Sequence, residues 1–146
     1  MAQGSAAVLI LREPGDVFAV IADVSKNAVW AAASVEGRQT SPGPVRVGTT
    51  AREVSRFLGR TIEVDSQVTE FVADRRLAYR TSSGPFPFEG AFDVTPQPGG
   101  SRIVATFTTT ATGAFRLLGP LFTWLATRQC QRDLASLKRL MESGRL

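Results

Sequence analysis

Apolar and polar positions alternate through most of this chain, and only its last stretch changes period. From Leu117 to Met141 the apolar residues Leu118, Leu121, Phe122, Leu125, Ala126, Cys130, Leu134, Leu137 and Met141 recur every three or four places, the spacing of one helical face. Arg128, Arg132, Lys138, Arg139 and Glu142 fall between them, giving one apolar stripe and one charged face. Trp124 falls off the stripe and is expected to sit outward. Gly119-Pro120 suits the helix start, where proline forfeits no needed hydrogen bond. Ser143-Gly144 suits its end. Such a helix cannot bury its stripe alone, so another element must wrap it.

Upstream, the pattern reads as strands. Ala6 to Leu11 is a first strand, leaving through Arg12-Glu13-Pro14-Gly15. Pro14-Gly15-Asp16 opens a short helix with Val17, Phe18, Val20 and Ile21 buried. Asp23 to Trp30 reads as a second short helix, with Ser25 as N-cap. Ser34–Thr40 follows as a second strand, then a Ser41-Pro42-Gly43-Pro44 turn. Five more strands are expected at Thr49–Phe57, Thr61–Phe71, Leu77–Ser82, Phe86–Thr95 and Arg102–Ala111. Short breaks between consecutive strands make an antiparallel meander. The fold class is α+β: a seven-stranded curved antiparallel sheet wrapped round a long C-terminal helix, with two short helices between strands one and two.

Opposed residues of an antiparallel pair share a face, so the turns predict the lining. With Leu58-Gly59 as a two-residue hairpin turn, Glu53 faces Val64, Ser55 faces Ile62 and Ala51 faces Ser66. The other face then sets Arg52 against Asp65 and Val54 beside Glu63. The favourable charge pair supports that register, which puts Glu53 on the concave side. Further along, Leu77, Tyr79 and Thr81 share a face, as do Phe86, Phe88, Gly90, Phe92 and Val94, and Ile103, Ala105, Phe107 and Thr109. The lining is apolar and aromatic with a few polar interruptions: Glu53, Ser55, Ser66, Tyr79 and Thr109.

At 146 residues, residues 1–146 are expected to form one domain, and 43% hydrophobic with 21% charged residues is ordinary for a globular protein. The N-terminal stretch lacks the basic region and apolar core of a signal peptide, and no apolar run has membrane-spanning length. A cytoplasmic protein without a membrane span is expected, and the single Cys130 allows no internal disulfide. Net charge is +4 with a pI near 10.2, which raises the question of nucleic acid. The arginines are scattered among acids, however. Arg128, Arg132 and Arg139 on one helical face read as a solvated face rather than a phosphate-binding stripe. Nucleic acid is not an expected partner, and the oligomeric state is open, a homodimer included.

The chain has no histidine. That closes serine–histidine and cysteine–histidine nucleophiles and histidine metal ligands, and one cysteine cannot build a thiolate zinc site. Gly99-Gly100 is a turn, since no lysine with serine or threonine follows. No metal and no cofactor is expected. Catalysis, if any, falls to carboxylate, tyrosine, arginine or water. Glu53 is the candidate general base, because an apolar cavity would raise its pKa toward neutrality. The competing reading leaves it in solvent or paired with Arg52 or Arg56 at the rim. Tyr79 is a candidate donor to a ligand oxygen, against a plain core role. The aromatics likewise either line a pocket or fill the core.

Several stretches carry a resemblance: Glu13 to Asp23 followed by Trp30; Phe57 to Arg60; Asp74 to Arg80; Gly99 to Arg102; and Asp133 to Lys138. Together with the element order they resemble the polyketide cyclase/dehydrase and lipid-transport family, the START-like (SRPBCC) group, over nearly the whole chain. The resemblance implies a helix-grip fold and a deep cavity between sheet and helix for hydrophobic small molecules. Members include lipid and quinone carriers, hormone receptors, and cyclases or aromatases of polyketides. The expected ligand-binding set is Trp30, Glu53, Val64, Tyr79, Phe86, Phe88, Phe92, Phe107, Leu118, Phe122 and Leu125, with Glu53 and Tyr79 as acid/base candidates. Three functions remain open: a carrier of a hydrophobic molecule such as a lipid, quinone or polyketide-like compound; a polyketide cyclase, aromatase or dehydratase; and a module that binds a ribosome or nucleic acid through the basic face. The Pro42–Val47 loop and the Phe115–Gly119 corner are candidate gates.

Overall fold

Antiparallel pairing in sequence order builds most of this molecule. A computed structural model describes residues 2–57, 59–84, 87–109 and 119–146. Within them the strands are β1 (Ala2–Ile10), β2 (Ser34–Gln39), β3 (Thr50–Phe57), β4 (Arg60–Val72), β5 (Arg76–Ser83), β6 (Phe88–Gln97) and β7 (Gly100–Thr109). They form one curved sheet in the order β1-β7-β6-β5-β4-β3-β2, so β2 to β7 are a meander and β1 closes onto β7. Between β1 and β2 lies α1 (Pro14–Ala22), then a 3-10 turn at Val24–Lys26 that runs into α2 (Asn27–Trp30). The long helix α3 (Gly119–Glu142) follows the sheet. This half-barrel clasping a C-terminal helix is the helix-grip fold.

The β3–β4 register is the expected one: Glu53 opposes Val64, Ser55 opposes Ile62, Ala51 opposes Ser66 and Arg52 opposes Asp65. Arg52 spans from Asp65 at 2.8 Å to Glu63 at 3.8 Å, all on the convex side. β4 carries two irregularities, between Asp65 and Ser66 and between Val68 and Glu70. Such bulges bend a strand and increase its twist, and they curl the sheet toward α3. The tight turn into β5 is held by Asp74 at φ 62°, a backbone conformation that aspartate tolerates better than most residues.

Two elements differ from expectation: β1 begins at Ala2, four residues before the expected Ala6, and the stretch after α1 is built differently. The Asp23–Trp30 stretch is not a single helix capped by Ser25. Asp23 itself caps the 3-10 turn, its carboxylate accepting from the Ser25 N–H at 3.1 Å, and Ser25 serves only as donor. The turn packs so closely on β2 that a side chain at Gly37 would collide with the Val24 carbonyl. Only glycine fits there.

The dry core lies at one end. Ile10, Val17, Val94, Ile103, Leu134, Leu137 and Met141 are all nearly or fully inaccessible, so α1 and the C-terminal half of α3 pack on β1, β6 and β7. Polar tethers fix α3 along β1. The Gln131 amide donates to Ala7 O, Lys138 donates to Leu9 O, and Glu142 accepts from the Leu11 N–H. Gly144 at φ 79° ends the helix, with Arg145 N–H returning to Leu140 O, a C-cap that needs glycine. Leu121 and Leu125, expected on the buried stripe, are 53% and 51% exposed. At about 100° per residue they fall on the face of α3 that carries Arg128 and Arg132, turned away from Phe122, Cys130, Leu134 and Leu137. Trp124 faces outward, as expected. No helix among the described residues is long and apolar enough to cross a membrane.

Candidate functional site

The concave face becomes half covered away from that core. Val94 and Ile103 are sealed, whereas Glu53, Ser55, Val64, Val68, Tyr79, Phe88 and Phe92 on the same face, and Phe122, Ala126 and Cys130 across from them on α3, keep partial exposure. The partly exposed portion of the concave face therefore lies between β3 to β6 and the N-terminal half of α3.

Aromatic rings form a continuous row along it. Trp30 meets Phe92 edge to face at 6.2 Å between centroids. Phe92 stacks on Tyr79 at 6.3 Å, Tyr79 on Phe88 at 6.1 Å, and Phe88 on Phe107 at 6.0 Å with nearly parallel planes. Trp30 and Phe107 anchor the two ends, both more than nine-tenths buried. The row is possible because Gly90 opposes Tyr79 across the β5–β6 pair. A Cβ at Gly90 would stand 2.6 Å from both Cζ and Oη of Tyr79. The tyrosine ring lies flat over a glycine gap.

Glu53 supplies the polar end. Its Oε2 accepts from Asn27 Nδ2 at 2.7 Å and its Oε1 from Ser55 Oγ at 3.4 Å. Burial raises its pKa above the ordinary carboxylate value, and the two hydrogen bonds offset this in part. Neither Arg52 nor Arg56 pairs with it among the described residues, so the rim-pairing alternative does not hold. Tyr79 is pushed well above the usual phenol range, by burial first, then by the Glu53 charge and by Cys130. Cys130 is itself pushed up to about 11, by burial and then by Asp133, so it is a packed thiol and not an activated nucleophile. Asn27 Oδ1, Trp30 Nε1 and Ser34 Oγ are buried at the same corner without a hydrogen-bond partner among the described residues.

Of the expected ligand-contacting residues, Trp30, Glu53, Val64, Tyr79, Phe88, Phe92 and Phe107 share the concave face, and Phe122 looks toward it from α3. Leu125 is half exposed on the outer side of the opening. Phe86 and Leu118 lie outside the described residues, as does most of the Phe115–Gly119 corner. Asn27 was not among the expected residues; its place three residues before Trp30, on the same side of a short helix, was the available signal. No group of three acidic, cysteine or histidine residues able to hold a metal occurs among the described residues. Two clefts of about 450 and 360 Å³ are present: one between α1, the 3-10 turn and β2, the other across β4 to β7, with Tyr79, Gly90 and Phe107 among its lining. Neither is lined by Glu53 or by any residue of α3.

Several solved structures share this architecture. A protein from Thermus thermophilus matches with TM-score 0.83 at 20% identity, covering 97% of this chain and 99% of its own. A START superfamily protein from Mycobacterium smegmatis matches with TM-score 0.84 at 13% identity, covering 98% and 99%. An aromatase/cyclase from Streptomyces matches with TM-score 0.72 at 16% identity, covering 92% and 90%. At such identities the likeness is one of fold. No curated protein matches the chain significantly in sequence. The family model described as polyketide cyclase/dehydrase and lipid transport matches residues 1–142. With almost the full length matched and the helix-grip architecture in place, this chain belongs to the polyketide cyclase/dehydrase and lipid-transport family.

Proposed function

We propose that this protein is a cytoplasmic carrier or binding protein for a hydrophobic small molecule, held between β3 to β6 and the N-terminal half of α3. The observation that carries this reading is the row Trp30–Phe92–Tyr79–Phe88–Phe107, whose middle members stay partly exposed although they face inward. Apolar contact supplies most of the affinity, at about 25 cal/mol per Å² buried. Glu53 and Tyr79 orient the polar end of the ligand. The likeness to an aromatase/cyclase from Streptomyces and membership of a family described by polyketide cyclisation and lipid transport support this class of ligand. Native mass spectrometry of freshly purified protein tests it: a co-purifying apolar molecule is expected, and protein that neither carries one nor binds an apolar dye contradicts it.

A second reading, proton transfer on a polyketide-like substrate, is favoured by one observation: Glu53 on β3 and Tyr79 on β5 face the same side of the sheet across β4. There Glu53 takes a proton from carbon beside a carbonyl. Tyr79, which stays protonated, donates to the carbonyl oxygen. Glu53→Gln separates the two readings, abolishing turnover under the second and leaving dye binding within about twofold under the first.

A further inference from the structure

The N-terminal turns of α3 carry exposed apolar side chains that the described residues leave uncovered. Leu121, Trp124 and Leu125, at i, i+3 and i+4, are 53%, 55% and 51% exposed and form one stripe. Arg128 continues it, its guanidinium 5.3 Å above the Trp124 ring, and Arg132 is exposed one turn further. The first acid of the helix, Asp133, has its carboxylate occupied by the Ala32 N–H and the Gln129 amide. The stripe is therefore apolar with a basic border.

Its place follows from the packing. Thr127 sits against Gly4 and Phe107, and Gly4 is only two residues from the end of β1 at Ala2, which opposes Thr109. Gly119 lies eight residues before Thr127, about 12 Å further along the axis. The stripe thus lies at and past the sheet end formed by Thr109 and Phe88. The antiparallel order brings the β3–β4 hairpin to that end too, with Arg56 and Arg60 exposed.

We propose that this end of the molecule docks on an anionic lipid bilayer, with Trp124, Leu121 and Leu125 entering the headgroup boundary and Arg128 and Arg132 pairing with lipid phosphates. Tryptophan and leucine beside arginine on one helical face is the composition of an interfacial helix. The net charge of +4 favours the anionic surface. A second copy of the chain fits less well. Three side chains fall far short of the roughly 800 Å² per partner of a stable interface. Nucleic acid has no use for the leucines. Docking in this orientation turns the half-covered hollow toward the lipid.

Cosedimentation with phosphatidylcholine vesicles, with and without about one quarter phosphatidylglycerol, tests the proposal. The protein is expected to bind the anionic vesicles, to leave the neutral ones largely in solution, and to dissociate as salt rises. Arg128→Ala should weaken binding about fivefold, and Trp124→Ala and Leu125→Asn each by at least about fivefold. All three positions are exposed, so thermal melts should be unchanged and a binding loss cannot come from unfolding. No binding to anionic vesicles at low salt overturns the proposal, as does binding that survives both apolar substitutions. Self-association of the free protein that Leu125→Asn abolishes assigns the stripe to a second copy and overturns it as well. The assay needs no cavity ligand, so its failure leaves the carrier reading standing, and failure of dye binding leaves the docking surface standing.

Discussion

Gly90→Ala adds a single methyl group in the middle of the aromatic row, and two effects of opposite sign compete. Alanine restrains the unfolded chain more than glycine does, which by itself stabilises a strand by about 0.5–1 kcal/mol. Against this, the new Cβ would stand 2.6 Å from Cζ and Oη of Tyr79 and 2.9 Å from Cε1. Ordinary contact begins near 3.4 Å, so the ring has to retreat by nearly 1 Å. It cannot do so freely, because Phe88 and Phe92 stack on it at 6.1 and 6.3 Å. Overpacking of this kind costs about 1–3 kcal/mol, and disturbing two aromatic pairs adds about 0.5–1.5 kcal/mol each. The clash wins, for a net loss of about 2 kcal/mol, or a Tm lower by roughly 4–8 °C in a domain of this size. The clash belongs to Tyr79, so Tyr79→Leu in the Gly90→Ala background should cost less than the sum of the two single changes. Calorimetry of the four proteins checks this. A Gly90→Ala protein as stable as the parent, or strictly additive costs, would mean that Tyr79 does not lie across the glycine, and the row would fail with it.

Burial holds Glu53 above the ordinary carboxylate value of 4.5, so the folded protein keeps a proton that the unfolded chain releases. Stability attributable to Glu53 therefore falls as pH rises from that ordinary value through the folded one, then levels off; Glu53→Gln should gain Tm relative to the parent as pH rises above the ordinary carboxylate value, and parallel profiles would refute the burial. Leu137, fully inaccessible, should cost about 2–5 kcal/mol on truncation to alanine, whereas Leu121→Ala should fall within about 0.5 kcal/mol of the parent; denaturant titration separates these, and equal losses would deny the difference between the inner and outer faces of α3. With its thiol pushed up to about 11, Cys130 should react with iodoacetamide at pH 8 about a hundredfold more slowly than a free cysteine. Rapid alkylation of the folded protein would place that side chain elsewhere.

Local signals carried much of the fold. The β3–β4 register was legible because a two-residue turn fixes pairing and Arg52 and Asp65 confirm the phase, down to Glu53 opposite Val64. The strict alternation of Phe88, Gly90, Phe92 and Val94 likewise reads as one face. What the sequence withheld depends on where elements end in space. Leu121 and Leu125 sit at three- and four-residue steps from neighbouring apolar residues, yet summed along the helix they fall on the face opposite Leu134 and Leu137, and only the latter pair is buried. The choice between Asp23 and Ser25 as cap turns on one residue of helix start, below what composition resolves. Asn27 reaches Glu53 across 26 positions, and no periodicity announces a side-chain bond between a short helix and a distant strand. The bulges in β4 are invisible for a similar reason, since neither Ser66 nor Thr69 differs in type from ordinary strand residues.

Amide and aromatic chemical shifts followed by NMR during titration with anilinonaphthalene sulfonate address the hollow most directly. Shifts confined to Glu53, Val64, Tyr79, Phe88, Phe92 and the Phe122–Cys130 stretch, with α1 and Leu134–Met141 silent, are the predicted result. Changes spread over the convex face, or limited to the cleft beside α1, would contradict an inner chamber between sheet and helix.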